Sequence, residues 1–417
     1  MEKLAIHGGT PSLKSPVDTN ILHQMRFGQQ EKDALARIVD SGVMCRTFGS
    51  EAESYERETA GYFGTAHAVA TSSGTASIHT ALAAVGVGWR DEVITSPITD
   101  MGSLIGIIAQ GALPVFADID PVTFNMDPAA VEKAITSRTK AILAVHLAGS
   151  CAGIEETCRI AAHRGITVVE DVAQSWLAES SGQFAGTFGA VGCFSTNGYK
   201  HISTGDGGVA VTEDPELARR MKLFMDKAYD RAGSSRNPEV FAMNYRITEL
   251  QAAVGRVQMG KLADIVVRRR EIADRMLSCL DSTPGLVLPV NPEGCDHSWW
   301  YLILRTDSEA TSVDAPQLAD ALAAEGVPAW TGYCGGRPVY QYDCFQHPER
   351  SFFPLPPLAG AGSIRELYPA GLCPVAEQQL DEMIILSVSE HYSDQQVDDM
   401  IRAVDKVCRW YADNQSA

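Results

Sequence analysis

The sequence predicts an α/β protein in which helices cover a mixed, mostly parallel sheet, followed by a smaller α+β domain. Two observations carry this prediction. Short apolar runs alternate with helical periods through the first part of the 417 residues, and the pattern changes after about Asp274. Strands that alternate with helices form sheets that are buried on both faces. We therefore divide the chain into residues 1–270, an N-terminal segment with a large domain, and residues 271–417, a small C-terminal domain.

Short apolar runs are the predicted strands of the large domain. They lie at 67–71, 92–96, 114–117, 141–145, 167–170, 191–195 and 208–212. Helical periods at 128–135 and 155–163 separate several of them. This alternation favours a parallel or mixed sheet.

The small domain is predicted from a few stronger patterns. WWYLILR at 299–305 reads as a strand, and 315–325 as a helix that Gly326 closes. Residues 333–374 are rich in Pro, Gly and aromatic residues, which predicts a loop. An amphipathic helix is predicted at 394–408.

Composition and charge exclude several classes of function. The 52 acidic residues against 34 Lys and Arg give a net charge of −18, which disfavours nucleic acid and anionic membranes as partners. No apolar run approaches the roughly 20 residues of a membrane helix, and MEKLAIHGG is a poor secretory signal, so we expect a cytoplasmic protein. The ten cysteines form no C-x-x-C pair and no His cluster has zinc-finger spacing. We therefore expect reduced, mostly core thiols and no metal.

Three segments carry the candidate chemistry, and each joins a predicted strand to a loop. TSSGTAS at 71–77 runs from a strand into a small-residue turn before a helix, where backbone N–H groups cradle phosphates. VVEDVAQ at 168–174 ends a strand in two acids, at the position where carboxylates face a ligand crevice. Lys200 lies between a strand and a glycine-rich return, and a lysine amine with a lowered pKa can form a Schiff base.

Each of these segments has a plainer explanation when taken alone. Ser and Thr commonly cap helices, an acid at a strand end often caps a helix or is solvated, and most lysines lie on surface loops. Together, however, the segments fit one cofactor. Pyridoxal phosphate (PLP) needs a lysine, an acid on its pyridine nitrogen and donors for its phosphate.

At these segments the chain resembles the DegT/StrS-type sugar aminotransferases, which are PLP enzymes of fold type I. The matching segments are SSGTAS (72–77), VFADIDPVTFNMDP (115–128), ITSRTKAILAVHLAG (135–149), VVEDVAQS (168–175), GCFSTNGYKHISTGDGGVAVTED (192–214) and NYRITELQAAVGRVQ (244–258). The resemblance covers roughly residues 30–410, and the lysine and NYR segments are its most specific parts. It implies PLP as the cofactor and 1–270 as the PLP-binding part.

The resemblance also implies roles for individual residues. Lys200 would form the Schiff base, Asp171 would pair with the pyridinium nitrogen, and Gln174 would hydrogen-bond the region of the ring hydroxyl. The phosphate would be held by Gly74, Thr75 and Ser195. Asn244 matches an asparagine that reaches the phosphate of the partner subunit's cofactor. A homodimer with shared active sites is therefore implied.

Two positions, Asp100 and His201, bear on how the cofactor is held and on the type of reaction. Asp100 matches a cofactor-binding position where the family has an aromatic residue that stacks on the PLP ring. A carboxylate cannot stack, so either another group covers the ring, or the ring is less confined and Asp100 contacts a substrate hydroxyl or amine. His201 is a candidate substrate contact. Dehydratases of the family carry histidine in place of the lysine itself, so the retained Lys200 favours transamination.

The substrates are predicted from two further segments. LAIHGGTPSL at 4–13 and GVPAWTGYCGGRPVY at 326–340 look like a subgroup of cyclitol aminotransferases and aminohydroxybenzoate synthases, although GGTP and PVY also occur as ordinary turns. Members of the cyclitol branch use glutamine as donor. We therefore expect transfer of an amino group from glutamine or glutamate to a keto-cyclitol or keto-sugar in an antibiotic-type pathway. Arg46 and Arg246 are candidate contacts for the donor carboxylate.

Three rival functions remain open at this point. A PLP-dependent dehydratase or lyase that keeps its lysine stays within the same cofactor class. A non-catalytic regulator on a PLP scaffold would be indicated by loss of Lys200 or Asp171, and both are present. An NAD-dependent α/β enzyme lacks support, because no G-x-G-x-x-G follows the first clear strand.

Overall fold

A seven-stranded sheet lies at the centre of the large domain. The computed structural model describes residues 2–14, 17, 19, 25–231, 233, 237–353 and 364–414. In chain order the strands of this part, with a short hairpin included, are β1 (His67–Thr71), β2 (Glu92–Thr95), β3 (Leu113–Phe116), β4 (Thr139–Val145), β5 (Thr167–Asp171), β6 (Glu179–Ser180), β7 (Gln183–Phe184), β8 (Val191–Ser195) and β9 (Gly208–Thr212). The sheet order is β1-β9-β8-β5-β4-β2-β3, in which β9 is antiparallel to both neighbours and the other pairs are parallel. The predicted mixed, mostly parallel sheet is confirmed.

Neighbouring residues on the central strands point into two separate apolar cores. Leu143 and Val169 pack on one face of the sheet, and Ile142 and Val168 pack on the other. All four side chains are buried. Because side chains alternate along a strand, a nearly continuous apolar run requires helices on both faces.

Helices cover both faces, and polar side chains explain where several of them begin. The helices of seven or more residues in the described ranges are α1 (Gln29–Ser41), α2 (Glu51–Phe63), α3 (Gly74–Ala84), α4 (Met101–Ala109), α5 (Pro128–Ala134), α6 (Ile154–Arg164), α7 (Pro215–Met225), α8 (Glu249–Met259), α9 (Leu262–Leu280), α10 (Ala315–Ala324), α11 (Pro374–Glu382) and α12 (Asp394–Asp413). Asp127 and Asp214 each accept a backbone N–H just before a proline that starts a helix, and Ser393 caps α12. These are standard N-terminal caps.

A second, antiparallel sheet lies in the C-terminal part. The strands of the C-terminal part are β10 (Leu286–Val287), β11 (Cys295–Asp296), β12 (Tyr301–Thr306), β13 (Ala329–Trp330) and β14 (Met383–Ser387). The sheet order is β10-β12-β14-β13, whereas β11 pairs with β6 of the hairpin. Leu302, Leu304 and Ile384 pack with α9, α10 and α12 in one core. Helix α9 runs continuously through residue 270, where the sequence predicted the domain boundary. The division into two domains at that residue stays a prediction.

Two predictions for this part differ from the structure. The strand expected at 299–305 begins at Tyr301, because Trp299 has a left-handed φ of 48° that extended backbone excludes. Residues 333–374, expected as a loop, contain helical turns, and 354–363 lie outside the described residues. Turns of three or four residues occur at Ala5–His7, Ser308–Thr311, Tyr333–Gly336, Val339–Gln341, Asp343–Gln346, Pro348–Arg350 and Ile364–Leu367. Such turns are too short to show a helical period in sequence.

Two general features complete the fold. The ten cysteines are free thiols, and Cys151, Cys193, Cys373 and Cys408 are buried. Within the residues that the structure describes, no helix combines the length and apolar character needed to cross a bilayer.

Candidate active site

The end of β5 carries two acids that face opposite sides of the sheet. The oxygens of Glu170 accept three backbone N–H groups from the turn before β8 at 2.6–2.8 Å, and Oε2 lies 2.8 Å from Nε2 of His146. Asp171 points the other way, toward helix α4. Glu170 is therefore a structural acid with all its partners inside the fold, and Asp171 is the candidate functional acid.

Asp171 is buried and held by two hydrogen bonds. The hydroxyl of Ser103, on α4, donates to Oδ2 at 2.6 Å, and the backbone N–H of Ala173 donates to Oδ1 at 3.0 Å. Burial raises the pKa of the carboxyl, while the two donors and the Lys200 ammonium act in the opposite direction. A further positive charge beside this group would therefore stabilise its ionised form.

Gln174 follows in the same loop and has a fixed orientation. Its Oε1 accepts the backbone N–H of Ala148 at 2.9 Å and the phenol of Tyr333 at 2.6 Å. Burial raises the pKa of Tyr333 well above its usual range, so the phenol stays a donor. With Oε1 engaged twice, the amide nitrogen of Gln174 is left to donate to a ligand.

Lys200 lies in the loop after β8, and its side chain is half-buried. Burial lowers the pKa of the ammonium, and the negative charges of Asp171 and Asp100 and the Cys334 thiol oppose that shift. The Nζ atom lies 4.0 Å from the centroid of the Trp300 ring. A lysine in such a site is more readily neutral, and therefore more nucleophilic, than one on the surface.

The turn after β1 forms the start of helix α3 and abuts β8. A Cβ added to Gly74 would lie 2.6 Å from Cβ and 2.9 Å from Oγ of Ser195, so only glycine fits. A Cβ added to Gly102 would lie 2.8 Å from Oγ1 of Thr75 and 3.0 Å from Oδ1 of Asp100. The structure thus brings together the predicted phosphate residues, with Asp100 beside them. The first N–H groups of a helix have no partner within it and favour an anion.

The NYR segment packs against this turn through its backbone. The N–H of Ser72 donates to the Tyr245 carbonyl at 2.8 Å, and Thr71 pairs with Arg246 in an isolated bridge. Asn244 is exposed. Its contact with a partner's cofactor stays a prediction. An exposed side chain is compatible with that contact.

Arg46 and Arg246 lie together but apart from Lys200. Both line a cavity of about 1070 Å³ beside β1, α2 and α7, and of the described residues that line it none is Lys200, Asp171 or Gly74. Arg46 pairs with Glu56 at 2.7 Å, and Arg246 pairs with Asp226. Their contact with the donor carboxylate stays a prediction.

The structure places the side chain of His201 in the core. Its side chain is fully buried, and Nε2 lies 3.0 Å from the Ser298 carbonyl oxygen. Burial and the nearby Arg269 hold the pKa of this imidazole well below its usual range. Consecutive residues in the loop point in different directions, so His201 enters the core where Lys200 enters the cleft, and its contact with substrate stays a prediction.

Three residues of the site were missed in the sequence. Ser103 lies in a helix that reads only as apolar, and Trp300 and Tyr333 belong to the C-terminal part. No local motif marks them, since each reaches the site through packing of distant segments. Among the described residues, no group of three or more His, Cys, Asp or Glu is placed to hold a metal.

The assembled groups suit one kind of chemistry. A buried amine can attack a carbonyl and afterwards move a proton, a buried carboxylate can hold a proton on a heterocyclic nitrogen, and a helix start can bind a phosphate. A cradle that admits only glycine at residue 74 and a Gln174 amide whose oxygen is already engaged fit PLP.

Comparison with known proteins agrees with this chemistry. Residues 26–405 match the DegT/DnrJ/EryC1/StrS aminotransferase family. The L-glutamine:2-deoxy-scyllo-inosose aminotransferase of Streptomyces kanamyceticus is 36% identical over 373 residues, which is 85% of each chain. S. venezuelae DesV, solved in complex with a ketimine intermediate, has a TM-score of 0.81 at 31% identity and covers 94% of this chain and 98% of its own. The 3-amino-5-hydroxybenzoic acid (AHBA) synthase structure has a TM-score of 0.81 at 26% identity and covers 92% and 97%.

These matches confirm the predicted fold type and the likeness to cyclitol aminotransferases and AHBA synthase. The chain therefore belongs to the DegT/DnrJ/EryC1/StrS aminotransferase family and is a PLP-dependent transaminase.

Proposed function

We propose that this enzyme binds PLP at Lys200 and transfers an amino group from glutamine or glutamate to a keto-cyclitol or keto-sugar. The observation that carries the proposal is the convergence of a buried amine, a buried carboxylate and a glycine-only helix start at one end of the sheet. Those groups come from β5, β8 and the turn after β1, three strands that meet in the central sheet through β9.

When bound, PLP would supply an electron sink for chemistry at the α carbon of an amino donor. In this proposal Lys200 Nζ moves the proton at that carbon, because it is the buried base of the site. Asp171 would hold a proton on the pyridine nitrogen, and Gln174 would donate to the ring oxygen. Gly74, Thr75 and Ser195 hold the phosphate through N–H and hydroxyl groups.

The substrate class rests on similarity. The Streptomyces kanamyceticus relative is named for glutamine as donor and a cyclitol ketone as acceptor, and it matches 85% of this chain. The 4–13 and 326–340 segments also resemble that subgroup. We assign the enzyme to secondary metabolism of the aminoglycoside kind on the same basis.

A spectral half-reaction tests the proposal. Purified enzyme with PLP is expected to show a visible chromophore that borohydride fixes onto Lys200, as peptide mass spectrometry can locate. Adding glutamine or glutamate alone is expected to convert the chromophore to the pyridoxamine form. Candidate keto-cyclitols and nucleotide-linked keto-sugars are then screened for restoring it. A chain that never acquires the chromophore would refute the proposal, and a chromophore unchanged by every amino donor would favour the dehydratase or lyase alternative.

The functional unit in this proposal is a homodimer with shared sites. Val240, Phe241 and Met243 are exposed apolar residues next to the exposed Asn244, which suits a surface covered by a second copy.

Subunit mixing tests this assembly. Lys200→Ala and Asn244→Asp variants are each expected to be inactive, the second because a carboxylate repels phosphate. If Asn244 serves the partner's site, a mixed dimer contains one site with both native residues, and mixing restores activity. If Asn244 served its own subunit, both sites of the mixed dimer would be damaged and activity would stay lost.

A further inference from the structure

Lys200 has an aromatic partner in place of an acidic one. Its Nζ atom lies 4.0 Å from the centroid of the Trp300 ring. Among the described residues it forms no ion pair with a carboxylate, although Asp171 and Asp100 both act on its pKa. The ring face of an indole attracts an ammonium group, and the attraction grows when water is excluded.

Trp300 is fixed at three points. Its Nε1 donates to the Tyr199 carbonyl, next to Lys200, at 2.8 Å. Its backbone N–H donates to the Ala148 carbonyl at 2.9 Å, and its own carbonyl accepts from Arg269 at 3.3 Å. The Arg269 side chain is buried and pairs with Glu390 at 2.8 Å. The two backbone contacts hold the residue in place and the Nε1 contact orients the indole, and only 8% of Trp300 is exposed.

We propose that Trp300 is a positioning residue whose indole face holds the Lys200 ammonium in the cofactor-free chain and, in turnover, after the amine has taken up the proton of the donor. An amine held there cannot close an ion pair with Asp171, so the carboxylate remains available for the pyridine nitrogen. This role in turnover rests on the proposed function, whereas the contact between ring and ammonium is a property of the cofactor-free chain.

Replacing the ring has a predictable electrostatic sign. The titratable groups whose charges act on the pKa of Lys200 are Asp171 from β5, Asp100 before α4 and the Cys334 thiol, and the Lys200 charge in turn lowers the pKa of the buried His201 imidazole. Loss of the indole face destabilises the ammonium and shifts its titration to lower pH. If the ring were mere packing, its replacement would admit water, stabilise the ammonium and shift the titration to higher pH.

The titration of Lys200 can be measured on the full chain without cofactor. Trace acetylation across a pH series, read by peptide mass spectrometry, gives the labelling midpoint of Lys200 with exposed Lys133 as internal reference. Trp300→Met fills the volume without a ring, and Trp300→Phe keeps a smaller ring. Trp89→Leu, at an exposed site elsewhere, is the matched control.

We expect the Lys200 midpoint to fall in the order native, Trp300→Phe, Trp300→Met, with about a fivefold rise in the acid dissociation constant for the last. Trp89→Leu should leave it unchanged. Equal or higher midpoints in the Trp300 variants would overturn the proposal. If Trp300→Met fails to fold, the direction of the Trp300→Phe shift decides alone. Because no cofactor is present, failure here leaves the borohydride and half-reaction results untouched.

Discussion

The large domain and the C-terminal part contribute to the same site in different ways. Asp171 ends β5, and Gly74 and Lys200 follow the ends of β1 and β8, each within a contiguous motif. Trp300 and Tyr333 reach the site from positions 101 and 159 residues away from the groups that they hydrogen-bond. The first set provides the reacting groups, and the second set fixes how those groups are oriented.

This difference shows what a strand end can and cannot encode. The parallel sheet places the carboxyl ends of its strands along one edge, so motifs there converge whatever follows them. Orientation of an amide or an amine requires donors and ring faces from outside that edge. Substitutions in the first set should therefore abolish chemistry, and substitutions in the second should change affinity or titration.

The largest effect is expected for Lys200→Ala. Removing the amine of the assembled site should lower turnover by about 10³-fold or more and remove the borohydride-fixed adduct. Steady-state assays and peptide mass spectrometry measure both. Lys133→Ala, at an exposed helix position, is the control. If turnover survived in Lys200→Ala, the large domain would not supply the reacting amine, and the distinction between reacting and orienting residues would fail.

The next effect separates two neighbouring acids. Asp171→Asn should lower kcat by about 10²-fold or more, because an amide cannot hold the pyridine proton, with little change in stability. Glu170→Gln should instead lower stability and change kcat little. It weakens an acceptor of three N–H groups and should reduce the free energy of unfolding by about 1–3 kcal/mol while keeping the chromophore. Thermal unfolding and kinetics on both variants test this, and similar profiles for the two would contradict it.

The sequence could predict the part of this site that lies at the carboxyl ends of the strands. The strands, Lys200, Asp171 and the Gly74 turn follow from apolar runs and the small residues after them. His201 could not be placed, because which loop residue turns inward depends on packing against Ser298 and Arg269. Tyr333 could not be found, since its loop needs left-handed backbone at Gly332 and at Cys334, with φ of 77° and 50°. Such a path is set by tertiary packing.

A smaller effect is expected for Tyr333→Phe. The change removes the 2.6 Å donor to Gln174 Oε1 and leaves the ring in place. The amide then loses one of two contacts that set its orientation, and the Kd for PLP should rise about five- to tenfold. Equilibrium dialysis on the full chain measures it. Tyr392→Phe removes a comparable buried hydroxyl, which bonds Ser387, and should not change the Kd. An unaltered Kd in Tyr333→Phe would show that Ala148 alone orients the amide.

The smallest effect concerns the pH dependence of Asp171. The Ser103 hydroxyl stabilises the charged carboxylate, so Ser103→Ala should raise the pKa of Asp171 further. Since transfer requires the carboxylate, the acid limb of kcat/KM should move to higher pH, with about a three- to tenfold loss on that limb and little at alkaline pH.

The sign for stability follows from the same shift. A carboxyl whose pKa is raised by folding stabilises the fold at low pH, and that contribution is lost as the pH rises through the folded-state pKa. Ser103→Ala should therefore cost the cofactor-free chain more stability at neutral than at acid pH. Ser96→Ala is the control, because the native Ser96 hydroxyl donates to the Ile98 carbonyl and not to Asp171. A loss of activity that is uniform across pH would mean that Ser103 only packs against Asp171, and the acid would then owe its ionisation to Lys200 and the Ala173 N–H.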